Sequence, residues 1–271
     1  MIDVTRRRFM TGAALALATA LERPRRVIAQ PASAGPAAPQ LIEDLVAANH
    51  ILADQGVVDG YGHVSARHDR DPNRYVMSRS LAPELVTAAD IMEYDLDSVP
   101  VDPRGRTSYL ERFIHGEIYR VRPDVHAIVH NHSPSVIPFG VTGVPLRPIY
   151  HMSAFLGEGA PVFEIRNAAG GASDMLVRTP ALGRALAQTL GSRAVALMRG
   201  HGAVVVGANL PQAVFRSVYT EMNARLQTQA MALGGHVTYL SPDEVSKVEN
   251  TVGGTILRPW ELWKRKVRRS P

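Results

Sequence analysis

Glu111-Arg-Phe-Ile-His-Gly-Glu-Ile-Tyr-Arg-Val-Arg-Pro-Asp-Val-His-Ala-Ile-Val-His-Asn-His132 is the stretch whose reading decides the fold. Its first part belongs to a helix expected over Tyr109 to Arg120, with Pro123 placed to stop it. Its second part, Val125 to His132, reads as a strand. Residues i and i+2 of a strand point to one face, so His130 and His132 present two imidazoles to one ion at roughly 2.0–2.1 Å, while Asn131 faces away. His126 and Ile128 share the face of His130, and His126 reads as an outer-shell or core histidine. One carboxylate, Glu111, and a third imidazole, His201 in Arg199-Gly-His-Gly202, complete an N3O set. That set suits one divalent ion per chain, with zinc favoured and Mn, Co or Fe also accommodated.

The elements around this stretch alternate between helix and strand, an α/β pattern. Leu41 to Gln55 has apolar residues at helical spacing, and Gly62 to Arg67 and Arg74 to Met77 read as short strands. Thr87 to Asp90 has the form of a capping box. Leu182 to Leu190 reads as a helix, and Ala194 to Val206 as a strand pair turned at Gly200-His-Gly202. Pro211 to Leu233 reads as a long helix with proline at its start and Gly234 at its end. The 45% hydrophobic content of the 271 residues allows a sizeable core.

From Leu41 to about Gly235 the chain resembles the class II aldolase/adducin family, and the Glu111 to His132 stretch resembles its metal-site segment. In that family the Glu lies on a helix, the His-x-His ends the next strand, and a later His-Gly gives the third histidine. The resemblance implies a three-layer α/β/α domain with a largely antiparallel central sheet. It also implies metal ligation by Glu111, His130, His132 and His201, and a homotetramer with active sites at subunit interfaces. Glu111 takes the place of the family's acid/base. The family's aldolases carry a Tyr nineteen residues after the second His, which falls on His151 here, with Tyr150 beside it, so either handles the second proton.

The family's sugar-phosphate aldolases hold phosphate with a Gly-Asn turn, a Thr-Gly turn and a Ser-Ser pair before the Glu. The corresponding positions here are Gly62-His63, Arg79-Ser80 or Ser80-Leu81, and Tyr109-Leu110. Larger, partly apolar groups replace two serines, whereas a phosphate cradle needs dense small donors. Gly62-His-Val-Ser-Ala-Arg67 with Ser78-Arg-Ser-Leu-Ala-Pro83 resembles the branch that decarboxylates hydroxylated aromatic acids. The substrate-binding candidates are therefore His63, Ser65, Arg79 and Ser80, with the Arg79 fork suited to a carboxylate. The expected function is a metal-dependent carbon–carbon lyase working through a stabilised enolate or enediolate, either a decarboxylase or an aldolase. The alternatives are a sugar-phosphate epimerase or dehydratase and a non-catalytic adducin-like interaction module.

Charge is unevenly placed. Six arginines lie in residues 1–34 against Asp3 and Glu22, and six cations in residues 255–271 against Glu261. The two ends thus hold more positive excess than the +5 of the whole chain, so the body is mildly acidic and no nucleic-acid surface is expected. Residues 1–34 read as a twin-arginine signal peptide: Thr5-Arg-Arg-Arg-Phe-Met10, an apolar run to Leu21 and a small-residue site at Ala32-Ser33-Ala34. Export to the periplasm follows, with a small-molecule substrate and no stable membrane anchor, since twelve apolar residues do not span a bilayer. Absence of Cys excludes disulfides and thiolate ligands. The remaining boundaries are a linker over 35–40, a catalytic domain over 41–240 and a C-terminal extension over 241–271. Trp260 and Trp263 in that extension are expected to dock on a neighbouring subunit.

Overall fold

The computed structural model describes residues 31–268; the twin-arginine motif and its apolar run lie outside them. The segment read as the end of the signal and the linker lies against the domain. The Ser33 hydroxyl and Ala34 N–H donate to the Glu93 carboxylate at 2.6 and 2.8 Å, and the Ala38 N–H donates to Asp69. Helix α1 (Pro39–Asp54) follows, with proline in its first turn, where a missing N–H costs nothing. Strands β1 (His63–Arg67), β2 (Arg74–Ser78) and β3 (Ile91–Asp95) form an antiparallel meander. Then come α2 (Phe113–Val121), β4 (Ala127–Asn131), α3 (Ile137–Thr142), β5 (Val162–Phe163) and α4 (Ile165–Ala169). The chain continues through α5 (Pro180–Leu190), β6 (Val195–Met198), β7 (Gly202–Gly207), α6 (Leu210–Ala232), α7 (Pro242–Gly253) and α8 (Leu257–Val267).

The seven strands form one sheet in the order β3-β2-β1-β4-β7-β6-β5. All pairings are antiparallel except β5 with β6. Side chains alternate across the sheet, and each face has its own apolar cluster. Val64, Ala66, Ala127, Val129, Ala203 and Val205 pack with α1, α6 and α8. Tyr75, Met77, Ile128, Val204 and Val206 pack with α2 and α5. The three-layer α/β/α architecture follows directly. His63, Ser65 and His130 stand on the α2 face, and the register sets His63 opposite His130, with Val204 on its other side.

Three expectations are corrected. The helix over Tyr109 to Arg120 is interrupted: a 3-10 turn covers Leu110–Arg112, and Glu111, at φ −91° and ψ 17°, leaves the helical region before α2 begins. His126 precedes β4 and is exposed, so it is neither core nor outer shell. The C-terminal extension lies on its own chain. Trp260 and Trp263 are buried in the α1/α6 layer, and Lys264 Nζ pairs with Asp44 at 2.7 Å. Among the described residues no helix is long and apolar enough to cross a membrane.

Candidate metal centre and its cleft

Four ligand atoms, one each from Glu111, His130, His132 and His201, lie within 4.8 Å of one another. Three parts of the fold deliver them. His130 lies within β4 and His132 just beyond its end, while His201 sits in the β6–β7 turn. A Cβ at Gly202, where φ is +155°, would stand 2.0 Å from the Asn131 carbonyl oxygen, so only glycine lets the turn approach the end of β4 this closely. Glu111 enters from the 3-10 turn before α2.

Outer contacts orient each group. His130 Nδ1–H donates to the Ala203 carbonyl at 3.2 Å, and His201 Nδ1–H to the Met175 carbonyl at 3.0 Å. Both rings therefore turn Nε2 inward as a lone-pair donor. His201 Nε2 lies 3.0 Å from His132 Nε2. Glu111 Oε1 accepts the Val177 N–H at 2.9 Å, and Oε2 lies 3.4 Å from Nε2 of both His130 and His201. His130 Nε2 is buried with no hydrogen-bond partner. An orphaned imidazole nitrogen facing two others and a carboxylate fits a divalent ion with N3O preference.

Electrostatics agrees with that fit. Burial pushes the Glu111 carboxyl up, but the imidazoles of His130 and His201 outweigh it and hold the group well below the usual carboxylate range. Burial, with His130 and His201 alongside, pushes His132 down to about 4. For His201 burial is outweighed by Glu111, which raises it.

Beside the ligands opens a cleft of about 320 Å³. Tyr61, Leu81, Tyr109, Leu110 and Leu176 wall it, and Ser80 and His63 contribute polar groups. The Tyr109 hydroxyl donates to the Leu81 carbonyl at 2.5 Å, fixing a ring whose centroid lies 4.6 Å from that of His63. The two positions where the resembling aldolases carry serines, Tyr109 and Leu110, thus line this cleft as apolar bulk.

The other expected site residues fall elsewhere. Ser65 is fully buried behind His63, bonded to His115 and Tyr119, and does not line the cleft. Arg79 Nε donates to Asp90 at 2.6 Å, and Arg79 is not among the lining residues. Asp90 also accepts from Thr87, through the N–H and hydroxyl at the expected capping box. Tyr150 is half-buried, and burial raises its phenol. His151 is exposed on a separate small cavity with Phe155, Phe215 and Glu249, and neither residue lines this chain's own cleft. Strand and motif patterning does not single out His115 or Tyr119. The signal was present: positions 111, 115 and 119 recur at i+4 toward one face.

The family model described as Class II Aldolase and Adducin N-terminal domain matches residues 43–228. The chain belongs to this family. It is 37% identical over 248 residues to decarboxylase tropJ of Talaromyces stipitatus, covering 83% of this chain and 93% of that one. It is 32% identical to the 3,4-dihydroxyphthalate decarboxylase of a Terrabacter species, covering 85% and 95%. Its fold is similar to that of L-fuculose 1-phosphate aldolase from Glaciozyma antarctica, with TM-score 0.69 and 22% identity over 84% and 88% of the chains. Relatives named as decarboxylases and as L-fuculose phosphate aldolase are consistent with a lyase.

Proposed function

We propose that this class II aldolase-family chain is a divalent-metal-dependent carbon–carbon lyase that decarboxylates a hydroxylated aromatic acid. The observation that carries the reading is the convergence of Glu111, His130, His132 and His201 beside a cleft walled by Leu81, Tyr109, Leu110 and Leu176. Such walls accept a flat ring and disfavour a carboxylate relative to neutral CO2. The relatives named as decarboxylases point the same way.

A divalent ion held by these four residues supplies, when bound, Lewis acidity toward the substrate's carboxylate and hydroxyl oxygens. Glu111 is anchored at Oε1 by the Val177 N–H, leaving Oε2 to take a hydroxyl proton from the substrate. Tyr109 and Leu110 exclude water from the ring-binding wall, and His63 and Ser80 orient polar substituents. We assign the second proton transfer to Tyr150 or His151 of a neighbouring subunit in a homotetramer, because neither lines its own cleft. Export by the twin-arginine route to the periplasm belongs to the same reading and rests on Arg6, Arg7 and Arg8.

The test is purification without chelator, metal analysis, and a screen of hydroxyaromatic acids against hydroxyaldehydes. About one ion per chain, with CO2 release from an acid, is the expected result. Aldehyde release instead would move the assignment to aldol cleavage. A metal-free, inactive protein would return the adducin-like module to the front.

A further inference from the structure

Behind the cleft a chain of polar side chains runs through the apolar layer between β1 and α2. The Tyr119 hydroxyl lies 2.8 Å from Ser65 Oγ, Ser65 Oγ lies 2.6 Å from His115 Nδ1, and His115 Nε2 lies 2.7 Å from His63 Nδ1. All four residues are at most 3% exposed. Among the described residues the Tyr119 hydroxyl has Ser65 as its hydrogen-bond partner, and burial keeps that phenol protonated. The phenol proton therefore has one place to go, and because Ser65 must in turn place its own buried proton on His115 Nδ1, the later bonds follow. Tyr119 O–H donates to Ser65 Oγ, Ser65 O–H donates to His115 Nδ1, and His115 Nε2–H donates to His63 Nδ1. The reverse direction would leave a buried phenol proton unpaired, which proteins avoid. His63 Nδ1 is then an acceptor, so the neutral ring carries its hydrogen on Nε2. That ring lines the cleft next to His130, with 5.0 Å between centroids.

We propose that Tyr119, Ser65 and His115 are positioning residues that fix His63 in its Nε2–H tautomer, making His63 a hydrogen-bond donor to a substrate oxygen in the cleft. The donor cannot become an acceptor without breaking a buried chain. A carboxylate or phenolate oxygen is accepted at this point, while a group that offers only a hydrogen is refused. The identity of that oxygen rests on the lyase reading; the tautomer does not.

The experiment is nitrogen-15 NMR of histidine-labelled full-length protein loaded with zinc, with His63 assigned from its loss in His63→Gln. Wild-type protein is expected to show a pyrrole-type Nε2 and a pyridine-type Nδ1. Tyr119→Phe, which keeps the ring and removes only the directing proton, is expected to convert His63 to mixed tautomers and to lower kcat/KM about tenfold with zinc content unchanged. His63→Gln, whose amide N–H falls near Nε2, should retain more activity than His63→Phe. A pyridine-type Nε2 in the wild type overturns the proposal, and so does a His63 spectrum indifferent to Tyr119→Phe. Since the spectrum needs no turnover, a correct tautomer in a protein that releases neither CO2 nor an aldehyde would count against the lyase reading alone.

Discussion

Glu111 divides its work between two oxygens: Oε1 is tied to the Val177 N–H and Oε2 faces His130 and His201. Glutamine keeps the size and the first of these bonds but cannot take a proton. Glu111→Gln is therefore expected to retain most of the metal and to lose turnover by about 10²–10⁴-fold, the scale of general acid–base work. Undiminished kcat in a metal-loaded variant would leave Glu111 a ligand only. His132 makes a separate point about pH. Its ring is held neutral, down to about 4 from an ordinary value near 6.5. In metal-free protein the folded state then binds fewer protons than the unfolded one between those values. The stabilising contribution is full above about 6.5 and drains as pH falls toward 4. Melting temperatures of chelator-treated protein should fall through that window, less steeply in His132→Gln; parallel slopes would assign the effect to other groups.

At the scale of elements, the site depends on β4 and β7 meeting closely at Gly202. Gly202→Ala is expected to cost at least about 1–3 kcal/mol from backbone conformation alone, and to release metal because His132 and His201 flank the junction. Urea unfolding and metal content together read this, and an unchanged variant would show that the turn relaxes freely. The same junction explains why this part of the fold was legible. A short apolar run ending in His-x-His, and a glycine-bracketed turn, admit few structures. Glu111 was legible as a candidate ligand but not in its conformation, because the break in the Tyr109 to Arg120 helix goes with tertiary contacts such as the Val177 N–H. α8 shows the converse failure. The resemblance to a tetrameric family suggested a neighbouring subunit's surface, yet Trp260 and Trp263 with Lys264 face α1 and α6 of the same chain. Composition reports what an element needs to bury and is silent on where. Trp263→Ala should accordingly lower stability by about 3–5 kcal/mol in urea unfolding, even at dilutions where subunits separate. A loss confined to high concentration would restore the intersubunit role.

Over the whole molecule, the fold gathers the four candidate ligands beside one cleft, which Glu111, His130 and His132 line and Tyr150 and His151 do not. That separation is the physical content of the oligomer proposal: if Tyr150 or His151 handles the second proton, it does so in the cleft of another copy. The family resemblance picked out the pair 150–151 but carried no information on which cleft they serve here, since sequence distance fixes neither symmetry nor partner. Mixing decides the matter. Suppose Glu111→Gln and Tyr150→Phe, with His151→Gln included in the second variant, are each inactive as pure oligomers. If sites are shared between subunits, co-refolded mixtures will contain some sites with intact Glu111 from one chain and intact Tyr150 and His151 from its neighbour. Random assembly of equal amounts should restore about a quarter of wild-type activity per site. If each chain uses only its own residues, every site in the mixture carries one defect and activity stays at the level of the parents. Recovery that appears on co-refolding, but not on mixing folded oligomers, would tie the activity to exchange at the subunit interface rather than to an additive effect of either variant.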